Sequence, residues 1–156
     1  MQIDFLKLPD TVAIIGSRSF EDDKVGSIVM LNEVYRFINR LDKGTQIVSG
    51  GAKGVDEWGA RAAAFYQMPL AIIFWPRKEL PSPQRFFARN AEIVKHIREH
   101  TGVVVAFADV GNYRGTRNTL NTANKQGVPT LILFYTRSGQ YVSKECNKEF
   151  EQYVRP

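Results

Sequence analysis

Three short segments of this chain combine glycine with hydroxyl or cationic side chains, a composition that suits the binding of a phosphate. Glycine lets backbone N–H groups approach an anion closely, and a guanidinium group pairs well with phosphate oxygens. The segments are Gly16, Ser17 and Arg18; Ser49, Gly50, Gly51, Ala52, Lys53 and Gly54; and Arg114, Gly115 and Thr116. Each segment alone is also typical of an ordinary tight turn. The anion-binding hypothesis therefore depends on the three lying together.

The glycine spacing in segment 49–54 differs from two common nucleotide-binding motifs. It lacks the GxGxxG pattern of dinucleotide-binding folds, and no Lys-Ser or Lys-Thr pair follows its second glycine as in a Walker A loop. Asp56 follows directly and would accept a hydrogen bond from a ribose hydroxyl. It is equally consistent with an acid in the first turn of a helix, where the helix dipole favours negative charge.

The sequence around these segments alternates between apolar runs and stretches with helical periodicity, which predicts the elements that position them. Strands are predicted at residues 11–15, 46–48, 70–75, 103–107 and 130–135. Helices are predicted at residues 25–41, 55–66, 84–100 and 115–126. Beyond them we expect a C-terminal extension, 136–156, that packs on the domain with a small strand near 140–142 and a helix at 144–153.

This alternation, with continuously apolar strands, is typical of an α/β domain whose parallel sheet is covered by helices on both faces. In such sheets, ligands bind outside the carboxyl ends of the strands. Segment 16–18 follows the first predicted strand, segment 49–54 the second, and residues 112–116 the fourth. We therefore expect the three segments to line one groove.

Length and composition are those of an ordinary globular protein. The 156 residues suggest a single domain, 1–156, and the net charge of +5 favours anionic partners. No apolar run is long enough for a membrane helix, and the first residues do not resemble a signal peptide, so we expect a cytoplasmic protein without membrane contact. Cys146 has no second cysteine to pair with. His96 and His100 lack an obvious third ligand, so no metal or cofactor is predicted.

Candidate catalytic groups are sparse. The sequence contains no GxSxG elbow, no recognisable Ser-His-Asp arrangement and no carboxylate pair of familiar spacing. Glu92 and Asp109 are the acids that we expect nearest the groove, although either is also consistent with an ordinary solvated side chain.

The ordered motifs resemble those of the SLOG superfamily of Rossmann-like proteins, which includes the core of DNA-processing protein A and the Lonely Guy phosphoribohydrolases. The resemblance covers nearly the whole chain up to Tyr135 and is strongest to a small, single-domain, YspA-like branch of bacteria and phages. The matching segments are 12–18 (VAIIGSR), 47–56 (IVSGGAKGVD), Arg89-Asn90 with the following helix, 103–107 and 114–122.

This resemblance implies a Rossmann-like, doubly wound, mainly parallel sheet of about five strands that binds a nucleotide. By position, the residues that would line the pocket are Gly16, Ser17, Arg18, the loop Gly50 to Gly54, Arg89, Asn90, Gly115 and Thr116. In the Lonely Guy enzymes, an arginine and a glutamate cleave a nucleotide N-glycosidic bond. Arg89 matches that arginine, whereas Thr119 stands where the glutamate is expected. A threonine cannot act as the carboxylate of that reaction.

Three functions follow from these observations. The first is a module that binds a nucleoside phosphate or an ADP-ribose-like molecule as a sensor or by sequestering it. The second is a nucleoside 5′-monophosphate N-glycosidic hydrolase in which Arg89 acts with Glu92 or Asp109. The third is a single-stranded DNA-binding protein, with Trp75, Phe86 and Phe87 as stacking candidates. Proteins similar to this one often pair, and helix 25–41 or the C-terminal segment would supply such an interface.

Overall fold

The elements of the fold were obtained from a computed structural model, which describes residues 7–68, 71–74 and 79–155. The strands are β1 (Thr11–Gly16), β2 (Gln46–Ser49), β3 (Ala71–Ile73), β4 (Val103–Asp109), β5 (Thr130–Tyr135) and β6 (Tyr141–Cys146). The α-helices are α1 (Lys24–Asn39), α2 (Val55–Phe65), α3 (Gln84–Glu99) and α4 (Arg114–Lys125). Two short 3-10 helices occupy Arg18–Asp22 and Lys148–Tyr153.

The six strands form one sheet in the order β3-β2-β1-β4-β5-β6. The first five are parallel, and β6 joins β5 in the antiparallel direction. This order is that of a doubly wound Rossmann-like sheet, in which the winding reverses between β1 and β4. The predicted α/β fold with a mainly parallel sheet is confirmed.

Two helices cover each face of the sheet. Successive side chains of a strand point to opposite faces, so that each central strand contributes to two cores. In β1, Val12 and Ile14 pack into a core with residues of α1 and α2, whereas Ala13 and Ile15 pack into a second core with residues of α3 and α4. These four β1 side chains are almost fully buried. Burial on both faces explains why the central strands are continuously apolar in sequence.

Gly16 ends β1 at a point where the backbone is closely surrounded. A Cβ atom at this position would overlap the carbonyl oxygen of Phe107 and lie about 2.6 Å from Cβ of Val55. Glycine therefore lets the end of β1 approach both β4 and the start of α2. This close approach brings the turns after β1 and β4 together.

The C-terminal segment differs from the prediction. Residues 144–146, predicted to begin a helix, belong to β6, and only Lys148–Tyr153 is helical, in the 3-10 form. A tight turn precedes β6, in which the N–H of Thr136 donates to the carbonyl of Gln140 and Gly139 has φ of +94°. This turn directs the chain back along β5, and pairing with β5 overrides the local preference for helix.

The predicted strand 70–75 is observed as Ala71–Ile73, and Leu70 and Trp75 lie outside the described residues. Among the helices that the structure describes, none has the length and apolar character needed to cross a lipid bilayer.

Candidate functional site

A cavity of about 180 Å³ opens at the carboxyl ends of β1 and β4, where the winding of the sheet reverses. Turns after both strands form its walls, together with the start of α2 and one face of α3. Its lining residues are Ile15, Gly16, Ser17, Arg18, Ser19, Ala52, Asp56, Arg89, Asn90, Ile93, Asn112, Tyr113, Arg114, Gly115, Thr116 and Thr119. The position matches the predicted ligand groove.

Arg89 of α3 provides a fixed cation in the wall of the cavity. Its Nη1 donates to the carbonyl oxygen of Gly50 at 3.2 Å, and its Nη2 donates to Oδ1 of Asn90 at 3.0 Å. Burial lowers the pKa of Arg89, Asp56 acts in the opposite direction, and Arg18 lowers it further. An arginine stays protonated at neutral pH even so, and a partly buried guanidinium attracts an anion more strongly than one in bulk water.

Asn90 connects α3 with α4 beneath this cation. Its side chain is 3% exposed, and its Nδ2 donates to Oδ1 of Asn118 at 3.0 Å while its Oδ1 accepts from Arg89. Because both ends of the amide are used, Asn90 positions Arg89.

The amino terminus of α4 forms another wall of the cavity. Gly115 and Thr116 lie in its first turn, and the side chain of Tyr113 at the N-cap makes no capping hydrogen bond. The first N–H groups of a helix have no partner within the helix, and the helix dipole makes this end positive. This wall is therefore suited to a phosphate or carboxylate.

Asp56 places a buried carboxylate among the turns that were predicted to bind phosphate. It is 4% exposed, and its Oδ1 accepts from the N–H of Gly16 at 3.2 Å. The backbone N–H groups of Gly50 and Ala52 also act to lower its pKa. Burial raises the pKa of Asp56 to about 6, although Arg89 and these N–H groups favour the charged form. The carboxylate thus takes the place that a bound anion would occupy between these two turns.

Three further donors of segment 49–54, on Ser49, Gly51 and Gly54, are also used within the chain. Oγ of Ser49 donates to the carbonyl of Asp56 at 2.6 Å and accepts from the N–H of Gly51 at 3.2 Å. The N–H of Gly54 donates to Oε1 of Glu21 at 3.2 Å. The loop therefore holds Asp56 in position, and the cationic side chains that line the cavity are those of Arg18, Arg89 and Arg114.

Asp109 joins the turn after β1 to the end of β4. Its Oδ2 accepts from Oγ of Ser19 at 2.6 Å and from Nε of Arg137 at 3.0 Å, and its N–H donates to Oγ of Ser17 at 2.8 Å. Burial acts to raise the pKa of Asp109, but the hydrogen bonds from Ser19, Arg137 and Gly111 outweigh it, so that the pKa lies below the ordinary value. This carboxylate fixes the rim of the cavity.

The structure brings most of the predicted site residues together. Those that line the cavity are Gly16, Ser17, Arg18, Ala52, Asp56, Arg89, Asn90, Arg114, Gly115 and Thr116. Those outside the lining are Ser49, Gly50, Gly51, Lys53, Gly54 and Glu92. Thr119, at the position where the resemblance expects glutamate, is buried and lines the cavity.

Several lining residues were not predicted from the sequence. Ser19 extends the first predicted turn by one residue, Ile15 precedes that turn, and Ile93 lies one helical turn beyond Arg89. Helical spacing from Arg89 and Asn90 is the signal that would have identified Ile93. Within the described ranges, no three His, Cys, Asp or Glu side chains lie together in a way that would hold a metal ion.

Comparison with known proteins gives fold-level similarity. No family model matches the chain, and no curated protein matches it. Two solved structures share its fold: TM1055, from a structural genomics consortium, and DNA processing protein A from Streptococcus pneumoniae. TM1055 is 20% identical with a TM-score of 0.55, and the alignment covers 77% of this chain and 71% of TM1055.

DNA processing protein A is 22% identical with a TM-score of 0.53, and 79% of this chain aligns with 49% of that protein. The chain thus spans about half the length of DNA processing protein A. The chain therefore shares the Rossmann-like fold of these two proteins.

Proposed function

We propose that the chain binds a nucleotide or a nucleotide derivative, a nucleoside phosphate or an ADP-ribose-like molecule, and acts as a sensor or sequestering module. The observation that carries this proposal is the cavity between β1 and β4. Arg18, Arg89 and the uncapped start of α4 face it from different elements, and Thr119 occupies the position expected for a catalytic glutamate.

The phosphate of the ligand binds at the start of α4, within reach of Arg18 and Arg114. The N-cap residue of this helix makes no side-chain capping hydrogen bond, whereas the N–H groups of Gly51 and Gly54 already donate to Ser49 and Glu21. The cavity of about 180 Å³ is smaller than the roughly 300–1,000 Å³ of sites for drug-sized ligands. We therefore expect it to hold the phosphate and the sugar, with the base at its opening.

Asp56, in the first turn of α2, lines the same cavity, and its carboxylate accepts hydrogen bonds when it is ionised. A carboxylate of this kind is suited to accept a hydrogen bond from a ribose hydroxyl. Its pKa of about 6 leaves it mostly charged at neutral pH.

A thermal-shift screen tests this function. Purified protein is heated with each of the four 5′-mononucleotides, with ADP-ribose and with inorganic phosphate. At a free concentration about 100 times the dissociation constant, a ligand stabilises the native state by about 2.7 kcal/mol, roughly 5–10 °C in melting temperature for a chain of this size. The proposal predicts such a shift for at least one nucleotide and a much smaller one for phosphate. Absence of any nucleotide-induced shift would overturn it.

N-glycosidic hydrolysis is the alternative that a specific observation favours. Asp56 is the one carboxylate among the residues that line the cavity, and it lies near Arg89, which affects its pKa. Glu92 is not among the lining residues, and the carboxylate of Asp109 is held by Ser19 and Arg137. Chromatographic detection of free base after incubation with each 5′-mononucleotide distinguishes the two functions, since a binding module releases none.

Binding to single-stranded DNA is the third candidate, and the name of the neighbour from Streptococcus pneumoniae concerns DNA processing. Phe87 is 47% exposed and Phe86 lies beside Arg85 and Arg89, whereas Trp75 lies outside the described residues. Oligonucleotide binding that weakens steeply with salt, without any shift from mononucleotides, would favour this function.

A further inference from the structure

A second cavity, of about 210 Å³, adjoins the first on the other side of the turn before α4. Asn112, Tyr113 and Arg114 line both cavities, so this turn forms the wall between them. Val110, Gly111 and Arg117 complete the lining of the second cavity. The two cavities therefore lie on either side of the same short turn.

Tyr113 and Arg117 form a fixed, flat cationic surface in the second cavity. Cζ of Arg117 lies 4.6 Å from the centroid of the Tyr113 ring, and that ring packs edge-on against Phe134 with centroids 5.2 Å apart. The ring is thus supported from the sheet, and it holds a guanidinium group that is otherwise exposed. Nucleic acid bases stack on guanidinium planes and on aromatic rings in this manner.

The charges on the shared turn suit a ligand with more than one phosphate. Arg114 lies in the wall common to both cavities, and Arg117 follows one helical turn later. Neither arginine has a salt bridge to an acidic group among the ion pairs of the described residues. Each cavity alone is below the roughly 300–1,000 Å³ of drug-sized ligand sites, whereas the two together fall within that range.

From these contacts we propose that the ligand is a dinucleotide: one nucleoside phosphate occupies the first cavity, and a second base, linked through phosphate, stacks against Arg117 in the second. This inference rests on the proposed nucleotide-binding function and specifies its ligand class. The same chemistry is offered by a free dinucleotide and by a stretch of single-stranded nucleic acid. The proposal commits to the free dinucleotide, because the two cavities provide room for two units.

Isothermal titration calorimetry with matched probes tests the inference. The probes are the four 5′-mononucleotides, the corresponding 5′-phosphorylated homodinucleotides, and ten-residue strands of each base. We expect a dinucleotide to bind at least about tenfold more tightly than its mononucleotide, the size expected for one stacked base, and a ten-residue strand to gain no more than a further threefold.

Two charge-neutralising variants of α4 test whether the tighter binding of a dinucleotide depends on the second cavity. Arg117→Gln removes the guanidinium from the second cavity, and Lys125→Gln removes an exposed charge at the far end of the same helix. We expect Arg117→Gln to bring the dinucleotide within about threefold of the mononucleotide without changing mononucleotide affinity, and Lys125→Gln to change neither.

The outcomes separate this inference from the function on which it rests. Mononucleotide binding without a dinucleotide advantage, or an equal loss of both in Arg117→Gln, would overturn the inference and leave nucleotide binding intact. Failure of both mononucleotides and dinucleotides to bind would overturn the proposed function and the inference with it. If the ten-residue oligonucleotides bind far more tightly than any dinucleotide, the second cavity is part of a binding site for single-stranded nucleic acid, and the inference is wrong.

Discussion

The carboxylate of Asp56 accepts a hydrogen bond from the backbone N–H of Gly16, 3.2 Å away. Gly16 ends β1, and Asp56 lies in the first turn of α2, directly after the glycine-rich segment that follows the neighbouring strand β2. The turns after both strands were predicted to bind an external anion. The chain thus supplies an anion of its own at this point. The consequence is that recognition of a ligand's phosphate falls to the arginines and to the start of α4, and that Asp56 is a titrating group in the wall of the cavity.

We predict that Asp56 makes stability depend on pH in a defined direction. Its native pKa of about 6 lies above the ordinary aspartate value of 3.8, so the folded state binds the proton more tightly than the unfolded state. The stabilisation is fully present below pH 4 and is lost as the pH rises through 6. Relative to Asp56→Asn, the wild-type protein should lose up to about 3 kcal/mol over this range.

Melting curves of wild type and Asp56→Asn between pH 4 and 8 measure this difference. Glu57→Gln serves as the control, because Glu57 is the adjacent residue of α2 and is exposed. If the wild-type and Asp56→Asn curves keep a constant separation across the range, Asp56 does not titrate as predicted.

We predict that Arg89→Ala lowers affinity for a bound 5′-mononucleotide by at least about tenfold, because a charge-assisted contact in a partly buried site is lost. It should also raise the pKa of Asp56 above about 6, since Arg89 favours the charged carboxylate. The second effect is measured without ligand, from the pH dependence of melting. Arg98→Ala removes an exposed arginine from the last turn of the same helix and should change neither quantity.

We predict that Gly50→Ala destabilises the protein by about 1–3 kcal/mol, the usual effect of overpacking. A Cβ at this position would lie 2.8 Å from Oδ2 of Asp56 and 3.1 Å from Nε of Arg89, so both charged groups would have to move. Gly44→Ala is the matched control, because a Cβ there meets no atom within 4 Å. Urea denaturation of both variants measures the difference, and equal stabilities would contradict this account of the close packing around Gly50.

We predict that Asp109→Ala costs about 2–4 kcal/mol, because Ser19, Arg137 and the N–H of Gly111 would lose their acceptor. Asp42→Ala removes an acid that is exposed and paired with Lys7 at 3.1 Å, and it should cost less than about 1 kcal/mol. Chemical denaturation compares the two. The native pKa of Asp109 is lowered, so its contribution is present above pH 4 and declines as the pH falls further.

Most of the fold could be predicted because its strands are buried on both faces. Val103 to Phe107 is continuously apolar, and the structure buries every residue of β4. The C-terminal strand could not be predicted in the same way, since all six residues of β6 are exposed and carry no apolar alternation. Its pairing depends on the turn at Gly139 and on the free edge of β5, which are properties of the tertiary structure.

The location of the candidate site could also be predicted from the sequence, but the internal hydrogen bonds of its turns could not. Its position follows from the strand ends, and glycine and arginine in the turns indicate anion binding. The sequence does not show that the N–H groups of Gly51 and Gly54 are already engaged by Ser49 and Glu21. Glu21 is 33 residues from Gly54 along the chain, so that only the folded arrangement reveals the contact.

The bonds of Asp109 to Ser17 and Ser19 have a consequence for the kinetics of association. The turns after β1 and β4 are joined by short hydrogen bonds, and Arg137 adds a link from the turn after β5. We expect walls connected in this way to move as one body, so that the cavity loses little conformational entropy when a ligand binds. Encounter should then proceed in one exponential phase, with an observed rate that rises linearly with concentration and shows no plateau from a slow closing step.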